Sequence, residues 1–269
     1  MLGLGLSIPR CAVRAGDALT REVAALFSAG EQGAWYDLSD FSTMFQNAAG
    51  TIPVTTVGQA VGRILDKSGR GNHATQTTDT KRPVLQQDAS GRYYLLFDGI
   101  DDALQTASVN FTGTDKVTVW AGVRKLSDSS FNMIVELSTS VGTINPGSFY
   151  FASLTSGRYE VATRGTVGVF LPTANNSFVA PITNVITSLF VISTDTCNFR
   201  ANGALITSSS SDQGTGTYGN YPLYIGSRGA TSLPFNGRLY SLIIRGAQST
   251  SAQISTAENY VNSKTGAYV

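Results

Sequence analysis

The stretch NFRANGALIT, residues 198–207, contains the clearest fold signal of the chain. Asn202 and Gly203 separate two runs of apolar and polar residues that suit strands. This pair favours a type I′ turn, because both central residues of that turn need a positive φ. Two strands joined by such a turn run antiparallel as a hairpin. The stretch therefore predicts antiparallel β-structure in this part of the chain.

Runs rich in β-branched and aromatic residues continue on both sides of this hairpin. Gly, Asn, Asp, Ser and Pro separate them, as is typical of short strands joined by turns. The runs are KVTVWAGV (116–123), FNMIVELST (131–139), GSFYFASL (147–154), GRYEVATR (157–164), VGVFLP (167–172), TSLFVIST (187–194), YPLYIGSR (221–228) and GRLYSLIIRG (237–246). Many short strands with little helix predict an all-β chain folded as an antiparallel β-sandwich.

The segment DALTREVAALFSAG (17–30) has helical periodicity instead. Asp17 is a candidate N-cap and Gly30 a candidate stop signal. The apolar residues between them recur at helical spacing: Leu19, Val23, Leu26 and Phe27. This stripe must be buried, either on the chain's own domain or on a partner chain. We predict a short N-terminal helical arm and assign it as a docking segment.

A second helix is predicted in STSAQISTAENYVNSKTG (249–266). Thr250 and Gln253 fit a capping box, and Gly266 lies where a helix C-cap is expected. The helix has one apolar face for packing on the sheet. The predicted division of the chain is an arm (1–33), a sandwich (34–248) and a C-terminal helix packed on the sandwich (249–269).

The charge balance argues against partners that are recognised by electrostatics. The formal net charge is +1, and charged residues make up only 14% of the 269 residues. Nucleic acid and anionic membrane surfaces attract basic patches, which this composition does not indicate. No uninterrupted apolar run reaches the ~18 residues of a membrane span. We predict neither nucleic-acid binding nor membrane insertion.

Cysteine usage and the N-terminal residues bear on the compartment. Cys11 and Cys197 lie far apart and form no CxxC pair. This spacing favours two buried thiols and leaves a disulfide open. The opening MLGLGLSIPR has neither a basic leading segment nor a small-residue cleavage site, so no signal peptide is predicted. We expect synthesis in a cytoplasm.

The only histidine, His73, lies in the loop DKSGRGNHATQ (66–76). The loop lacks the phosphate-binding pattern GxxxxGK[ST], and one histidine with two distant cysteines is a poor zinc ligand set. No GxSxG motif supports a Ser-His-Asp triad, although the residue types leave one open. The residues that suit a tight turn are Asp66, Gly69, Gly71 and Asn72. We interpret the loop as a turn before a strand that starts at His73.

Three aspartates lie close together in FDGIDDAL (97–104). Asp98, Asp101 and Asp102 could share a hard cation such as Ca²⁺, which takes six to eight oxygen ligands. The spacing does not match an EF-hand. The alternative is a turn whose carboxylates accept backbone N–H groups. Calcium is thus a candidate cofactor at this turn.

The sequence does not favour glycoside hydrolysis. That reaction needs two carboxylates that flank one bond, roughly 5–9 Å apart. Glu136 in FNMIVELSTS and Glu160 in GRYEVATR each stand alone on their strands. Glucanases of sandwich folds present ExDxxE on a single strand, and the chain lacks this pattern. We therefore predict a protein that is not an enzyme.

Sugar binding is compatible with one group of surface-loop residues. Lectin sites combine an aromatic platform with a few directional polar groups. Candidates for such a site are Tyr218, Asn220, Tyr221 and Arg228, in and after QGTGTYGNY. The alternative is that these tyrosines are ordinary residues at the strand ends of a sandwich.

Several motifs in their order resemble the laminin-G-like, concanavalin-A-like jelly-roll superfamily. They are WYDLSD (35–40), LDKSGRGNHATQ (65–76), GRYYLLFDGIDDAL (91–104), FRANGAL (199–205) and GRLYSLIIRG (237–246). The resemblance spans roughly residues 34–246 and implies a jelly-roll sandwich. Function does not follow from it, since this fold serves lectins, glucanases, adhesion modules and viral proteins.

A narrower resemblance concerns GAWYDLSDFSTMFQNAAGTIPVTTVGQAVGRILDKSGRGNHATQ (33–76) and the closing helix STAENYVNSKTG (255–266). Both are similar to jelly-roll proteins of tailed bacteriophages and prophages. The resemblance implies a virion structural protein, often tail-associated, that is assembled in the bacterial cytoplasm. For such a protein we expect other virion proteins as partners and a homo-oligomer within the virion. The jelly-roll fold, which also serves lectins, suggests a host-surface glycan as ligand. A capsid decoration protein without a glycan ligand and a glycan-degrading hydrolase are the alternatives.

Overall fold

A computed structural model describes residues 15–138 and 145–269. In these residues the chain forms two α-helices and seventeen β-strands. The helices are α1 (Ala15–Ala25) and α2 (Ser251–Thr265). The strands are β1 (Gly33–Asp37), β2 (Met44–Phe45), β3 (Arg63–Ile64), β4 (Ala74–Thr75), β5 (Val84–Gln87), β6 (Tyr93–Asp98), β7 (Leu104–Asn110), β8 (Lys116–Lys125), β9 (Asn132–Leu137), β10 (Ser148–Leu154), β11 (Arg158–Arg164), β12 (Gly168–Pro172), β13 (Ile182–Val191), β14 (Thr196–Ala201), β15 (Ala204–Ser209), β16 (Asn220–Ile225) and β17 (Asn236–Arg245).

The strands form two antiparallel sheets. Sheet A has the order β15-β14-β13-β8-β17-β6-β5, with β1 also paired to β17. Sheet B has the order β12-β11-β10-β9-β16-β7-β4-β3-β2. The predicted all-β antiparallel sandwich is confirmed. Of the first seven strands, only β4 corresponds to a strand predicted from the sequence, and three of the seven have only two residues.

The main hydrophobic core lies between the two sheets. Successive residues of a strand point to opposite faces, so one row of inward residues crosses sheet B from strand to strand. Full burial of each such side chain contributes roughly 1.5–3 kcal/mol. One inward row consists of Leu104, Ile225, Val135, Phe151 and Val161, paired in that order.

The Asn-Gly hairpin forms as predicted. Ala201 and Ala204 pair at the ends of β14 and β15. Between them Asn202 has φ +50° and Gly203 has φ +80°, so both central residues lie in the left-handed region that a type I′ turn requires. The turn places β15 at the edge of sheet A.

Helix α2 also forms as predicted. Thr250 and Gln253 make a reciprocal capping box, and Gly266 ends the helix with φ +59°. Its apolar face packs on the outer side of sheet A, in a cluster that includes Trp120 and Ile243. This packing covers part of that sheet face.

Helix α1 packs against α2. Val23, Leu26 and Phe27 belong to the same buried cluster as the apolar face of α2, so this stripe is buried on its own chain. The prediction that Asp17 caps the helix is wrong: α1 includes Ala15, so Asp17 lies inside the helix. No helix among these residues is long and apolar enough to span a bilayer.

The free thiol of Cys197 lies in the core, with no solvent exposure. Burial raises the pKa of this thiol to about 12, so it stays protonated at neutral pH. Cys11 lies outside the residues that the structure describes.

Candidate functional site

A row of aromatic and charged residues crosses the outer face of sheet B. Glu136 of β9 lies opposite Tyr150 of β10 on one side and opposite Tyr224 of β16 on the other. Tyr150 lies opposite Ala162 of β11, which in turn lies opposite Phe170 of β12. Neighbouring strands are ~4.8 Å apart, so the row extends about 19 Å from Tyr224 to Phe170.

Arg228 covers the carboxylate of Glu136. Its Nε donates to Glu136 Oε2 at 2.9 Å, and its guanidinium carbon lies 5.8 Å from the ring centroid of Tyr150. The side chain of Glu136 has no solvent exposure, whereas that of Arg228 is 27% exposed. Backbone bonds to Ser232 hold Arg228 in the loop after β16. Arg228 is thus the part of this ion pair that meets solvent.

Tyr150 and Glu160 form a second fixed pair. The Tyr150 hydroxyl donates to Glu160 Oε1. Burial, and next the Glu160 carboxylate, raise the pKa of Tyr150 far above its usual value. The hydroxyl therefore stays protonated, and the Glu160 carboxylate is held as an acceptor. Glu160 itself is half-buried.

An exposed ring lies at one end of the row. Phe170 is 46% exposed, and its centroid lies 6.3 Å from that of Tyr150. Buried apolar side chains beneath form a separate cluster: Met133, Tyr150, Ala152, Leu154 and Ala162. We call the surface formed by Tyr224, Glu136, Tyr150, Glu160, Phe170 and Arg228 the sheet B strip.

The prediction of Tyr218 as a sugar-stacking residue is wrong. Its side chain has no solvent exposure and lies in the core between the sheets. The hydroxyl lies 2.6 Å from Thr163 Oγ1, and the ring meets Phe149 edge-on at 6.0 Å. A ligand on the surface cannot reach this ring.

Of the other predicted sugar residues, Asn220 and Tyr221 begin β16, whereas Arg228 lies beyond its other end. Asn220 is exposed at the start of β16, opposite Asn110 of β7. Tyr221 is half-buried, and its hydroxyl donates to the Pro146 carbonyl at 3.2 Å. Arg228 follows the far end of β16 and joins the sheet B strip. Of the four predicted sugar residues, only Arg228 belongs to the candidate site.

Glu136 and Glu160 were not predicted from the sequence to belong to one site. Each is the only carboxylate of its strand, so neither shows a local motif. The structure joins them through Tyr150, which is opposite Glu136 and bonded to Glu160. One signal was available in the sequence: Glu136 is the only charged residue in the otherwise apolar run MIVEL (133–137), which suits a buried strand. A buried carboxylate needs a partner, which points to a cationic side chain nearby.

The loop with His73 is a structural turn, as interpreted. Asp66 Oδ1 accepts the Trp35 and Ser68 backbone N–H groups at 2.9 and 2.8 Å, and its Oδ2 accepts the Asn72 N–H at 3.0 Å. His73 Nδ1 accepts the Asp66 N–H at 2.9 Å. These hydrogen bonds connect the loop to β1 and to itself, and they engage its main polar groups. Strand β4 starts at Ala74, one residue later than predicted.

The three aspartates of the predicted calcium site lie within reach of one another. One carboxylate oxygen from each of the three lies within 4.8 Å of the other two. Asp98 Oδ1 accepts the Ile100 N–H at 2.8 Å, and Asp102 Oδ2 accepts the Asp98 N–H at 3.0 Å. The predicted turn is therefore present. The oxygens are of the type that Ca²⁺ prefers, and calcium binding stays a prediction.

No protein-family model and no curated protein sequence matches the chain. Solved structures do match its fold. An arabinofuranosidase complexed with arabinofuranosyl-alpha-1,2-xylobiose matches 90% of this chain and 65% of its own, at 13% identity and a TM-score of 0.60. The binding domain of Botulinum Neurotoxin DC in complex with SialylT matches 74% of this chain and 48% of its own, at 12% identity and a TM-score of 0.54.

A third match is the CBM40 of the Ruminococcus gnavus IT-sialidase, bound to alpha2,3 sialyllactose. It matches 56% of this chain and 97% of its own, at 13% identity and a TM-score of 0.44. At such identities the first two matches establish the fold alone. The chain is an antiparallel jelly-roll sandwich. It spans about two thirds and about half of the two longer chains it resembles.

Proposed function

We propose that the protein binds carbohydrate through the sheet B strip. The observation that carries this proposal is the row itself, in which an exposed ring lies beside charged groups that are already held in place. Sugars present apolar C–H faces and directional hydroxyl groups, so their sites combine aromatic rings with oriented donors and acceptors. Phe170 supplies the ring face, Arg228 the donors and Glu160 an acceptor.

The strip is built for binding with little rearrangement. Apart from Arg228, its side chains project from paired strands. Its buried polar side chains already have partners: Glu136 has Arg228, and Tyr150 has Glu160. A site that is ordered before binding loses less conformational entropy when a ligand arrives. The solvent-accessible members of the strip are Tyr224, Arg228, Glu160 and Phe170. They are spread over about 19 Å, a span that suits an extended oligosaccharide rather than one sugar.

Within this proposal the protein is a binding protein and not a hydrolase. A catalytic carboxylate must come within hydrogen-bond reach of the glycosidic oxygen or of the attacking water. Glu136 has no exposed surface, and Arg228 lies over it. One observation favours a hydrolase: Glu136 and Glu160 both lie next to Tyr150, and glycoside hydrolysis uses two neighbouring carboxylates. The wild type and a Glu136→Gln variant are compared on the same glycan. Equal binding by both, with no degradation of the glycan by either, supports a binding protein without hydrolase activity.

The biological setting is part of the proposal. The resemblance of residues 33–76 and 255–266 to phage jelly-roll proteins supports a virion structural protein, associated with the tail, that is assembled in the host cytoplasm. Its partners would be other virion proteins and further copies of this chain. The arabinofuranosidase of similar fold is complexed with a saccharide, which supports a glycan on the host surface as ligand.

An array of bacterial polysaccharides and oligosaccharides tests glycan binding. Labelled protein, clustered on beads to increase avidity, should bind a subset of the array. Phe170→Ala should weaken that binding about fivefold or more, since a ring that stacks on its ligand contributes on the order of 1–3 kcal/mol. The matched control is Val179→Ala, which truncates an exposed apolar side chain outside the strip. Absence of binding to any glycan would refute the proposal.

Particle fractionation tests the virion assignment. Virions from a producing strain are purified, separated into tails and capsids, and probed with an antibody against this protein. Signal in the tail fraction supports the proposal. Signal in the capsid fraction, together with no glycan binding on the array, supports the alternative of a capsid decoration protein. Absence from both fractions overturns a virion role.

A further inference from the structure

A polar cleft of about 500 Å³ lies on the outer face of sheet A, beside the C-terminal end of α2. It is on the opposite sheet from the strip, and neither site depends on the other. Clefts that hold small organic ligands measure roughly 300–1,000 Å³, so this one has the size of a ligand site. Its main lining residues are Arg92, Arg124, Arg238, Tyr94, Tyr240 and Thr183.

Two arginines of the cleft face each other directly. Arg238 of β17 and Arg124 of β8 are cross-strand partners, and Arg124 is also opposite Thr183 of β13. Like charges in directly opposed positions of a sheet repel each other and destabilise the pairing. Such an arrangement is favourable when an anion lies between the two guanidinium groups. The register therefore creates a local demand for negative charge.

The neighbouring protein groups do not meet that demand. Arg124 Nη1 donates to the Thr183 hydroxyl at 3.1 Å, and the Arg238 guanidinium stacks 4.4 Å from the ring centroid of Tyr94. In the ranges 15–138 and 145–269, none of the ion pairs includes either arginine or Arg92.

One carboxylate, Asp88, also lines the cleft. Its Oδ1 accepts the backbone N–H groups of Ser90 and Arg92 at 2.8 and 3.0 Å, which commits it to the β5–β6 turn. Three guanidinium groups against one carboxylate leave the cleft with a surplus of positive charge. This surplus is local, because the whole chain has a formal net charge of only +1.

Arg124 and Arg238 are held in position before any ligand arrives. Tyr94 and Tyr240 are 6% and 2% exposed, so they support Arg238 from beneath and offer little ring surface to a ligand. Arg92 lies against Gly266, where the Cβ of any other residue would come within 2.2 Å of its Nη2. Fixed guanidinium groups are suited to bidentate contact with a planar or tetrahedral oxyanion.

The lining favours a saccharide as the carrier of that anion. With its tyrosines covered, the cleft lacks the stacking surface that a nucleotide base needs. Hydroxyl and amide groups from Thr183, Ser90 and Gln87 complement sugar hydroxyls. The volume is also far larger than an inorganic ion requires. We propose that this cleft binds the carboxylate or sulfate group of an acidic saccharide.

Calorimetric titration with defined probes tests the proposal. The probes are trigalacturonate, its neutral methyl ester, galactose 6-sulfate and inorganic sulfate, all at one ionic strength. Wild-type protein should bind trigalacturonate or galactose 6-sulfate, and a carboxylate ligand should lose at least tenfold in affinity on esterification. Preference between the two acidic sugars identifies the anionic group. Binding of inorganic sulfate alone, equal binding of the ester, or no binding of any probe overturns the proposal.

Variants assign the binding to the cleft. Arg124→Gln and Arg238→Gln should each weaken binding at least tenfold, and both should bind more weakly still at higher salt. Arg92→Gln, at the rim of the cleft, provides a further affinity measurement if either of these variants fails to fold. Arg21→Gln on the exposed side of α1 makes the same charge change as a control. Unchanged affinity in all three cleft variants would refute the site, and it would leave the sheet B strip unaffected.

Discussion

The carboxyl group of Asp102 connects the acidic turn to the pH dependence of stability. Burial, and next the neighbouring Asp98 carboxylate, raise the pKa of Asp102 to about 6. The value in an unfolded chain is about 3.9, so the native state binds the extra proton between these pH values. The stabilising contribution is complete below about pH 4 and is lost as the pH rises through 6.

We predict that Asp102→Asn stabilises the protein at pH 7.5 by roughly 1–2 kcal/mol, because it removes a carboxylate that is costly to ionise there. At pH 4 the variant and the wild type should unfold alike. The amide oxygen can still accept the Asp98 N–H. Urea unfolding at the two pH values measures the difference. An equal effect at both pH values would contradict the raised pKa.

Calcium binding at the same turn has its own test. If Asp98, Asp101 and Asp102 ligate Ca²⁺, millimolar CaCl₂ should raise Tm by several degrees over EDTA at pH 7.5. The shift should disappear in Asp102→Asn. It should also shrink below pH 6, where Asp102 takes up a proton. A Tm that is the same in CaCl₂ and EDTA would sink the calcium prediction.

At the scale of residues, the sequence indicated which residue types suit a binding site, but it did not predict their burial or their partners. Tyr218 and Tyr221 both follow a glycine-rich loop, yet one is fully buried and the other half-buried. Their burial depends on how the loop packs between the sheets, which no local pattern encodes. Arg228 was predicted as a binding residue, but its partner Glu136 is 92 residues away in sequence.

At the scale of elements, Asp37 connects strand β1 to helix α2. It accepts the Tyr260 hydroxyl at 2.8 Å and lies 3.2 Å from the Lys264 ammonium and 3.5 Å from that of Lys67. Burial by itself raises the pKa of Asp37, but Lys264 and hydrogen bonds from Ser39 and Tyr260 bring it below its usual value. The ionised form therefore stabilises the attachment of α2.

We predict that Asp37→Asn costs about 2 kcal/mol at pH 7, as expected for lost charge-assisted hydrogen bonds. Because the folded pKa is depressed, this contribution is present above about pH 4 and is lost as the pH falls below it. The cost should therefore shrink progressively as the pH falls below about 4. Asp40→Asn, whose carboxylate is more exposed, is the control and should cost less than about 1 kcal/mol. Equal costs for both variants would contradict a special role for Asp37.

Elements with local signals were the ones that sequence could predict. The turn at Asn202 and Gly203 and the capping box of α2 depend on neighbouring residues, and both formed. The start of α1 was misplaced because Asp17 suits the first turn of a helix as well as a cap. The sheet B strip could not be predicted, since it depends on cross-strand register among β9, β10, β11, β12 and β16.

At the scale of the whole molecule, the two proposed sites lie on opposite faces of the sandwich. Helices α1 and α2 cover part of the outer face of sheet A, which leaves the arginine cleft beside the end of α2. The strip occupies the outer face of sheet B. A glycan on one face therefore does not block the other, and variants of one site should leave binding at the other unchanged.

Carbohydrate recognition by the sheet B strip is tested most directly on cells. Labelled protein is titrated onto bacterial cells of a susceptible strain, with and without prior periodate oxidation of their surface sugars. We predict saturable binding that is lost on oxidation and falls about fivefold or more in Phe170→Ala, while Arg21→Gln binds as the wild type does. Binding that survives both oxidation and Phe170→Ala would contradict the account.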